Sequence, residues 1–170
     1  MVVGEFARLS FLNIREFAGD VLDGLPDDAL TWRVDPDANT IAWLIWHLTR
    51  IQDDHVAHLA GTDQVWVEDG WAERFGVEPG DMGVGYGDSS EDVAAIRPSA
   101  ATDLADYLDA VTGRTLAYLA DVDDATEWER IVDRSWDPPV TAAVRLSSVI
   151  ADDLQHVGQA AYVRGLFERS

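Results

Sequence analysis

The segment SVIADDLQHVGQAAYVRG, residues 148–165, decides both the expected fold and the expected site. It is long and apolar enough to form a helix that packs into a protein core. Asp152, His156 and Gln159 follow one another at spacings of four and three residues, which places them on one helical face. Burying an unpaired Asp costs free energy, and the neighbouring His and Gln add to that cost. The polar stripe therefore needs a partner inside the protein.

Helical periodicity recurs in three other segments, so the sequence predicts four long helices. We expect them at residues 4–25, 39–59, 102–119 and 142–167. Asn39 and Thr141 are the expected N-caps of the second and fourth helices, and Pro138 and Pro139 separate the fourth helix from the preceding chain. Four long helices in 170 residues predict an all-α four-helix bundle, organised as one domain over residues 1–170.

The connection between the second and third helices, residues 61–101, is unusually long. It contains VWVEDGWAERFG, which favours one short helix, and then the glycine-rich EPGDMGVGYGDSS. A connection of this length inside a compact domain is typically functional or mobile. The GVGYGD stretch lacks the Gly-Lys-Ser/Thr ending of a phosphate-binding loop and has acidic flanks. We therefore expect a flexible loop there.

Composition excludes several functional classes. The 32 acidic and 12 basic residues give a formal charge of −20, which should repel nucleic acid and anionic membranes. The chain has no cysteine, which excludes disulfides, thiolate metal sites and a cysteine nucleophile. Residues 1–17 have an amphipathic pattern unlike a signal peptide, and no apolar run is long enough to span a membrane. We expect a cytoplasmic protein.

All four histidines fall on the second and fourth predicted helices: His47, His55, His58 and His156. A histidine on an apolar helical face is usually a structural residue with a satisfied hydrogen bond, and we expect this of His55. His58 lies near the exposed end of its helix. These two are therefore weak candidates for a site.

His156 differs from the others because Asp152 precedes it by one helical turn. A carboxylate and an imidazole at that spacing can reach one ion, and His47 on the second helix is the natural third ligand. Two histidines and one carboxylate form a common catalytic site for a divalent metal, with positions left open for substrate. The alternative is that Asp152 only orients His156 or pairs with Arg145, two turns earlier.

Two segments, NTIAWLIWHLTRIQDDHVAHLAG and DDLQHVGQAAYVRGL, resemble the DinB-like (YfiT-like) superfamily of four-helix-bundle metalloproteins. GLPDDALTWRVDP and WDPPVT also fit that pattern, and the likeness is closest to the actinobacterial branch of mycothiol-dependent enzymes. The resemblance implies an up-down-down-up bundle with a long crossover between the second and third helices. It also implies metal ligands at His47, Asp152 and His156.

Asp152 departs from the family pattern, in which many members have His and the mycothiol-dependent isomerases have Glu. Asp is one methylene shorter than Glu, so the ion would lie nearer the fourth helix or bind more weakly. Asp153 is a fallback ligand, although it points about 100° away around the helix. The resemblance favours zinc or nickel, and the ligand set also suits iron.

The implied function is a metal-dependent thiol S-transferase, in which a metal-activated mycothiol thiolate attacks an electrophilic small molecule. Gln159 would orient a ligand or a neighbouring side chain, or instead form a hydrogen bond across the bundle. The alternatives are a metal-dependent hydrolase with metal-bound water as nucleophile, and a non-enzymatic metal-binding stress-response protein. The expected partners are the small-molecule thiol and the electrophile, with a homodimer as an open alternative.

Overall fold

The structure, a computed structural model, describes residues 3–78, 81–122 and 125–170. Residues 79–80 of the predicted glycine-rich stretch, and residues 1–2 of the expected domain, therefore lie outside the described part. In chain order the helices are α1 (Val3–Leu22), α2 (Asp27–Leu30), α3 (Ile41–Ala60), α4 (Val65–Glu68), α5 (Trp71–Arg74), α6 (Ser90–Ala95), α7 (Ala101–Asp121) and α8 (Ala142–Phe167). A 3-10 helix (Ala125–Glu129) and a small antiparallel hairpin, β1 (Ile131–Asp133) with β2 (Val140–Thr141), connect α7 to α8.

Helices α1, α3, α7 and α8 form the predicted four-helix bundle. Helices α1 and α8 run in one direction and α3 and α7 in the other, which confirms the up-down-down-up order. Helices α1 and α7 are antiparallel, because Arg15 contacts Asp109 and Gly4 lies beside Leu119, whereas α3 and α7 are parallel, with Gln52 bound to Thr115 and Arg50 to Tyr107. Helices α3 and α8 are antiparallel, because His47 lies beside Asp152 and His55 beside Arg145. The C-terminal ends of α1 and α8 meet where Arg164 donates to the carbonyls of Asp20, Val21 and Asp23.

Helix boundaries follow local capping chemistry, with small corrections to the predicted bounds. Thr40, rather than Asn39, caps α3 by accepting a hydrogen bond from the Trp43 amide at 3.0 Å. Thr141 caps α8 as predicted, through the Val144 amide at 3.3 Å. A capping hydroxyl satisfies one of the amides that a helix start leaves without a partner. Helix α1 ends at residue 22 instead of 25, and α7 is longer than predicted by one residue at its start and two at its end.

The core forms where the apolar faces of the four long helices meet. The predicted face of the first helix is buried at every position: Phe11, Ile14, Ala18, Val21 and Leu25. On α3 the predicted face is also buried, except that His55 is only half-buried. His58 is exposed, as predicted. Among the described residues, none of the helices combines the length and apolar character that a membrane crossing requires.

The crossover between α3 and α7 is packed onto the bundle. It contains α4, α5 and α6, where the sequence predicted one short helix. Trp66, Trp71 and Phe75 are buried and surround Tyr107 of α7, with ring centroids 5.2–5.8 Å from it. These contacts hold the crossover against the end of α3 that carries His47, the predicted partner of the polar stripe on α8.

Candidate metal centre

Three predicted ligands come together where α3 crosses α8. His47 extends from α3, and Asp152 and His156 extend from successive turns of α8. One carboxylate oxygen of Asp152 lies 3.7 Å from Nε2 of His47, and the other lies 3.7 Å from Nε2 of His156. The two imidazoles meet edge to face, with centroids 4.7 Å apart. One ligand atom from each residue lies within 4.8 Å of the other two.

His47 is held rigidly in this cluster. Its side chain is almost fully buried, and its Nδ1 donates a hydrogen bond to the carbonyl of Val84. Because a carbonyl can only accept, Nδ1 carries the proton and Nε2 presents a lone pair to the cluster. The Trp43 indole stacks on the ring at 4.6 Å and an interplanar angle of 6°. Burial lowers the pKa of His47, which favours the neutral, ligating form.

His156 is oriented in the same way from its own helix. Its Nδ1 donates to Oε1 of Gln159 at 3.1 Å, three residues along α8. This contact leaves Nε2 facing Asp152 and the cluster. The sequence left two roles open for Gln159: to orient a ligand or a neighbouring side chain, or to form a hydrogen bond across the bundle. In the structure, Gln159 contacts His156 on its own helix. A hydrogen bond to the second imidazole nitrogen is the usual support of a metal-binding histidine.

Asp152 carries the unsatisfied group of the cluster. Its side chain is 37 % exposed, yet Oδ2 is buried and has no hydrogen-bond partner within the described residues. The alternative pairing with Arg145 is not formed, because Arg145 donates to Asp133 at 3.3 Å and approaches His55 at 3.4 Å. A buried carboxylate oxygen without a donor is costly unless a cation compensates it.

Asp153, the fallback ligand, points away from the cluster. It is fully buried in the bundle, and neither carboxylate oxygen has a hydrogen-bond partner among the residues described. Burial, followed by the neighbouring charge of Asp152, raises the pKa of Asp153 well above its usual range. The shift favours the uncharged acid, which packs as a core side chain, and Asp152 is the carboxylate that lies beside His47 and His156.

Sequence reasoning missed the part played by the glycine-rich stretch. Residues 81–88, called the glycine loop below, lie against α3 beside His47. Gly85 has a positive φ of 90°, and a Cβ there would lie 2.7 Å from His47 Nδ1. Asp88 accepts a hydrogen bond from the Trp43 indole at 2.8 Å. The density of glycines was the available signal, and it indicates close approach of the backbone to a side chain rather than mobility.

Comparison with known protein families gives one match over nearly the whole chain. A family model described as mycothiol-S-transferase matches residues 10–168. The chain belongs to the mycothiol-S-transferase family. It is also similar to a solved structure, a conserved protein from Enterococcus faecalis, with a TM-score of 0.91 and 28% identity over 100% of this chain and 99% of that one. Comparison with curated protein sequences finds no match.

The residues of this mycothiol-S-transferase family member fit a divalent metal. Two imidazole nitrogens and a carboxylate face one point, and the buried Asp152 oxygen lacks a donor among the described residues. Ligands arranged tetrahedrally at about 2.1 Å from zinc stand about 3.4 Å apart. The two 3.7 Å separations between Asp152 and the imidazoles are close to that spacing. His55 is not part of this group, since it pairs with Asp54 at 3.2 Å.

Proposed function

We propose that this protein is a metal-dependent thiol S-transferase that moves a low-molecular-weight thiol of the mycothiol type onto an electrophilic small molecule. One observation carries the proposal: the convergence of His47, Asp152 and His156, with both imidazoles oriented by hydrogen bonds and one buried carboxylate oxygen unsatisfied. Membership of the mycothiol-S-transferase family supports the thiol chemistry.

We propose His47, Asp152 and His156 as the ligands of a divalent metal, with zinc as the first candidate and nickel and iron as alternatives. Imidazole nitrogen with one carboxylate suits all three ions. A bound divalent metal would lower the pKa of a coordinated thiol, so that the nucleophilic thiolate forms near neutral pH. Asp152 supplies one negative charge, so a bound thiolate would bring the net charge of the centre to zero.

The protein's own residues contribute orientation and exclusion of water. The carbonyl of Val84 and the side-chain oxygen of Gln159 accept hydrogen bonds from Nδ1 of His47 and His156. These bonds keep both Nε2 atoms directed at the same point. Trp43 covers one face of His47 and thereby removes water from that side. The chain contains no cysteine, so the sulfur nucleophile must come from the bound thiol.

A groove beside the centre suits the body of the thiol. It has a volume of about 430 Å³, and its lining includes Gln159, which accepts the hydrogen bond from His156. Its polar lining comes from Asn39, Gln155, Gln159 and Tyr162, without a charged side chain among its described residues. In a protein of charge −20, a neutral groove of amides and a phenol favours an uncharged ligand with several hydrogen-bonding groups. A second groove of about 490 Å³ lies between α1 and α8. Among the described residues, His47, Asp152 and His156 line neither groove, and the second groove also lacks Gln159.

We place the reaction in the cytoplasm, where low-molecular-weight thiols stay reduced. A homodimer is part of the proposal because α1 exposes Phe6, Leu9 and Phe17 along one side. Sedimentation of the purified protein at several concentrations tests the assembly. A monomer at every concentration would remove the dimer from the proposal and leave the chemistry unchanged.

The function is tested with metal-stripped and metal-loaded protein. Thiol consumption is followed with mycothiol and a model electrophile, and each reactant and the metal are omitted in turn. We expect turnover only when metal, thiol and electrophile are all present. Turnover without the thiol would replace this proposal with hydrolysis, and the absence of turnover across a broad panel of electrophiles would favour a metal-binding protein without catalytic activity.

A further inference from the structure

Arg50 is an unusual residue for the centre of a helix bundle. It lies on α3 three residues after His47, and it is fully buried despite its positive charge. Its guanidinium donates to the carbonyls of Met82 and Gly83, both at 3.2 Å. It also donates to Oε1 of Gln64 at 2.8 Å. A planar guanidinium with five donors can make these contacts simultaneously, which a lysine ammonium cannot.

The carbonyls bound by Arg50 belong to the glycine loop, directly before the residues that contact His47. Gly83 is followed by Val84, whose carbonyl accepts a hydrogen bond from Nδ1 of His47. Gly85 then approaches His47 so closely that a Cβ would collide with the ring. The position of the loop backbone therefore determines both the tautomer and the rotation of His47.

The loop is also held on either side of the Arg50 contacts. At its start, the carbonyl of Asp81 accepts a hydrogen bond from the Trp66 indole at 2.9 Å. At its end, Asp88 binds the Trp43 indole. Arg50 lies 4.8 Å from the Trp66 ring centroid in a cation–π contact. Arg50 thus connects α3 to Met82 and Gly83 within the glycine loop and to Trp66, whose indole anchors the start of that loop.

The charge of Arg50 is compensated by Asp53, which is also buried and lies 3.5 Å away. Asp53 accepts hydrogen bonds from the amides of Val65 and Trp66 and from the hydroxyl of Tyr107 at 2.8–2.9 Å. A buried ion pair is seldom the most stable way to fill a core, and hydrophobic residues of similar size often do better. A positional role accounts for its presence here.

We propose that Arg50 is a positioning residue for the metal centre. It holds the glycine loop in the position at which the Val84 carbonyl accepts a hydrogen bond from His47 Nδ1. That hydrogen bond leaves His47 Nε2 directed at Asp152. This inference rests on the proposed metal centre. It adds a residue that does not contact the ligands and that acts on one of them through the backbone of the loop.

The first test replaces Arg50→Lys, which keeps the charge beside Asp53 but removes the planar set of donors. Arg130→Lys is the matched control, because Arg130 also combines an ion pair, to Glu127, with a hydrogen bond to a backbone carbonyl of α3, at Leu59. Cobalt(II) is titrated into each metal-stripped protein. We expect Arg50→Lys to weaken cobalt affinity by about 10- to 100-fold and to shift the ligand-field bands. Wild-type affinity and bands in Arg50→Lys would overturn the inference.

A second pair of variants moves the loop without touching Arg50. Gly85→Ala adds a Cβ at 2.7 Å from His47 Nδ1, whereas Gly87→Ala adds one in open space at a similar positive φ of 81°. Both share the backbone strain of an alanine in the left-handed region. We expect Gly85→Ala to reproduce the cobalt defect of Arg50→Lys and Gly87→Ala to behave as wild type. Equal cobalt binding by the two glycine variants would contradict the role given to the loop.

A third measurement needs no metal, so it separates failure of this inference from failure of the proposed function. Nitrogen-15 NMR of the imidazoles, at mildly alkaline pH, reports which ring nitrogen carries the proton. We expect His47 to be protonated at Nδ1 in the wild type and to lose that preference in Arg50→Lys. If wild-type protein binds no cobalt, the proposed function fails, while an unchanged tautomer in Arg50→Lys overturns the positioning role by itself.

Discussion

Two adjacent aspartates provide the sharpest test of the centre, because they share one helix and have opposite surroundings. Asp152 faces two imidazole nitrogens at 3.7 Å and has an unsatisfied buried oxygen. Asp153 is fully buried, and this burial raises its pKa well above the usual range. The substitutions Asp152→Asn and Asp153→Asn preserve volume at each position. Only the first removes an anionic ligand from the proposed centre.

The expected magnitude follows from linkage between metal binding and folding. Free metal at 100 times its dissociation constant stabilises the wild-type protein by about 2.7 kcal/mol. In a chain of this size, that stabilisation raises Tm by about 5–11 °C. Loss of an outer hydrogen bond to a ligand lowers metal affinity about 10- to 100-fold, so loss of the ligand Asp152 should exceed that range. At the same metal concentration, Asp152→Asn should then gain no more than about 0.4 kcal/mol.

The assay is thermal unfolding of wild type and both variants, each with and without zinc, together with metal analysis of the purified proteins. We expect Asp153→Asn to keep the zinc-dependent rise in Tm, because Asp153 lies outside the cluster of His47, Asp152 and His156 and an amide of equal size replaces it. We expect Asp152→Asn to lose it. Zinc-dependent stabilisation retained by Asp152→Asn and lost by Asp153→Asn would refute the assignment and make the fallback residue the ligand.

Three further outcomes are expected. Gln159→Leu should weaken metal affinity about 10-fold, because the Nδ1 proton of His156 loses its acceptor. Thr141→Ala should destabilise the protein to urea by about 1 kcal/mol, because the α8 N-cap is lost. The His55 contact holds the pKa of Asp54 below its usual 3.8, so Asp54 stabilises the fold above that pH and ceases to do so as pH falls through its lowered value. Asp54→Asn should therefore destabilise at neutral pH, and its difference from wild type in urea unfolding should shrink below pH 3.8.

The first two of these outcomes each have a control variant on the same chain. Gln155→Leu removes a glutamine that donates to its own helix, at the Ala151 carbonyl, and should leave metal affinity unchanged. Thr102→Ala lies inside α7 rather than at its cap and should cost less stability than the α8 substitution. Equal effects within either pair would show that the hydrogen bond in question is not the cause. A constant difference between Asp54→Asn and wild type across the acid range would contradict the pKa argument.

The sequence by itself determined the four-helix bundle. It also singled out His47, Asp152 and His156 as the residues proposed for the centre, with Asp153 as a fallback for Asp152. Helical periodicity is a local property, since residues three and four apart share a face whatever the helix packs against. That property specified the buried face of α1 and the alignment of Asp152 with His156. The capping preference of threonine specified the N-cap at Thr141. The excess of negative charge and the absence of cysteine also follow from the sequence alone, because composition does not depend on folding.

Tertiary structure decided what surrounds those three residues. The glycine loop is far from α3 in sequence, so no local pattern could place the Val84 carbonyl on His47 or Gly85 against its ring. The choice of Asp152 over Asp153 likewise depends on how α8 is rotated in the bundle, since the two side chains differ by about 100° around the helix. No local pattern in α3 marks Arg50 as a buried residue. Its burial, and the backbone carbonyls it binds, exist only because the crossover folds back over α3 and shuts out water.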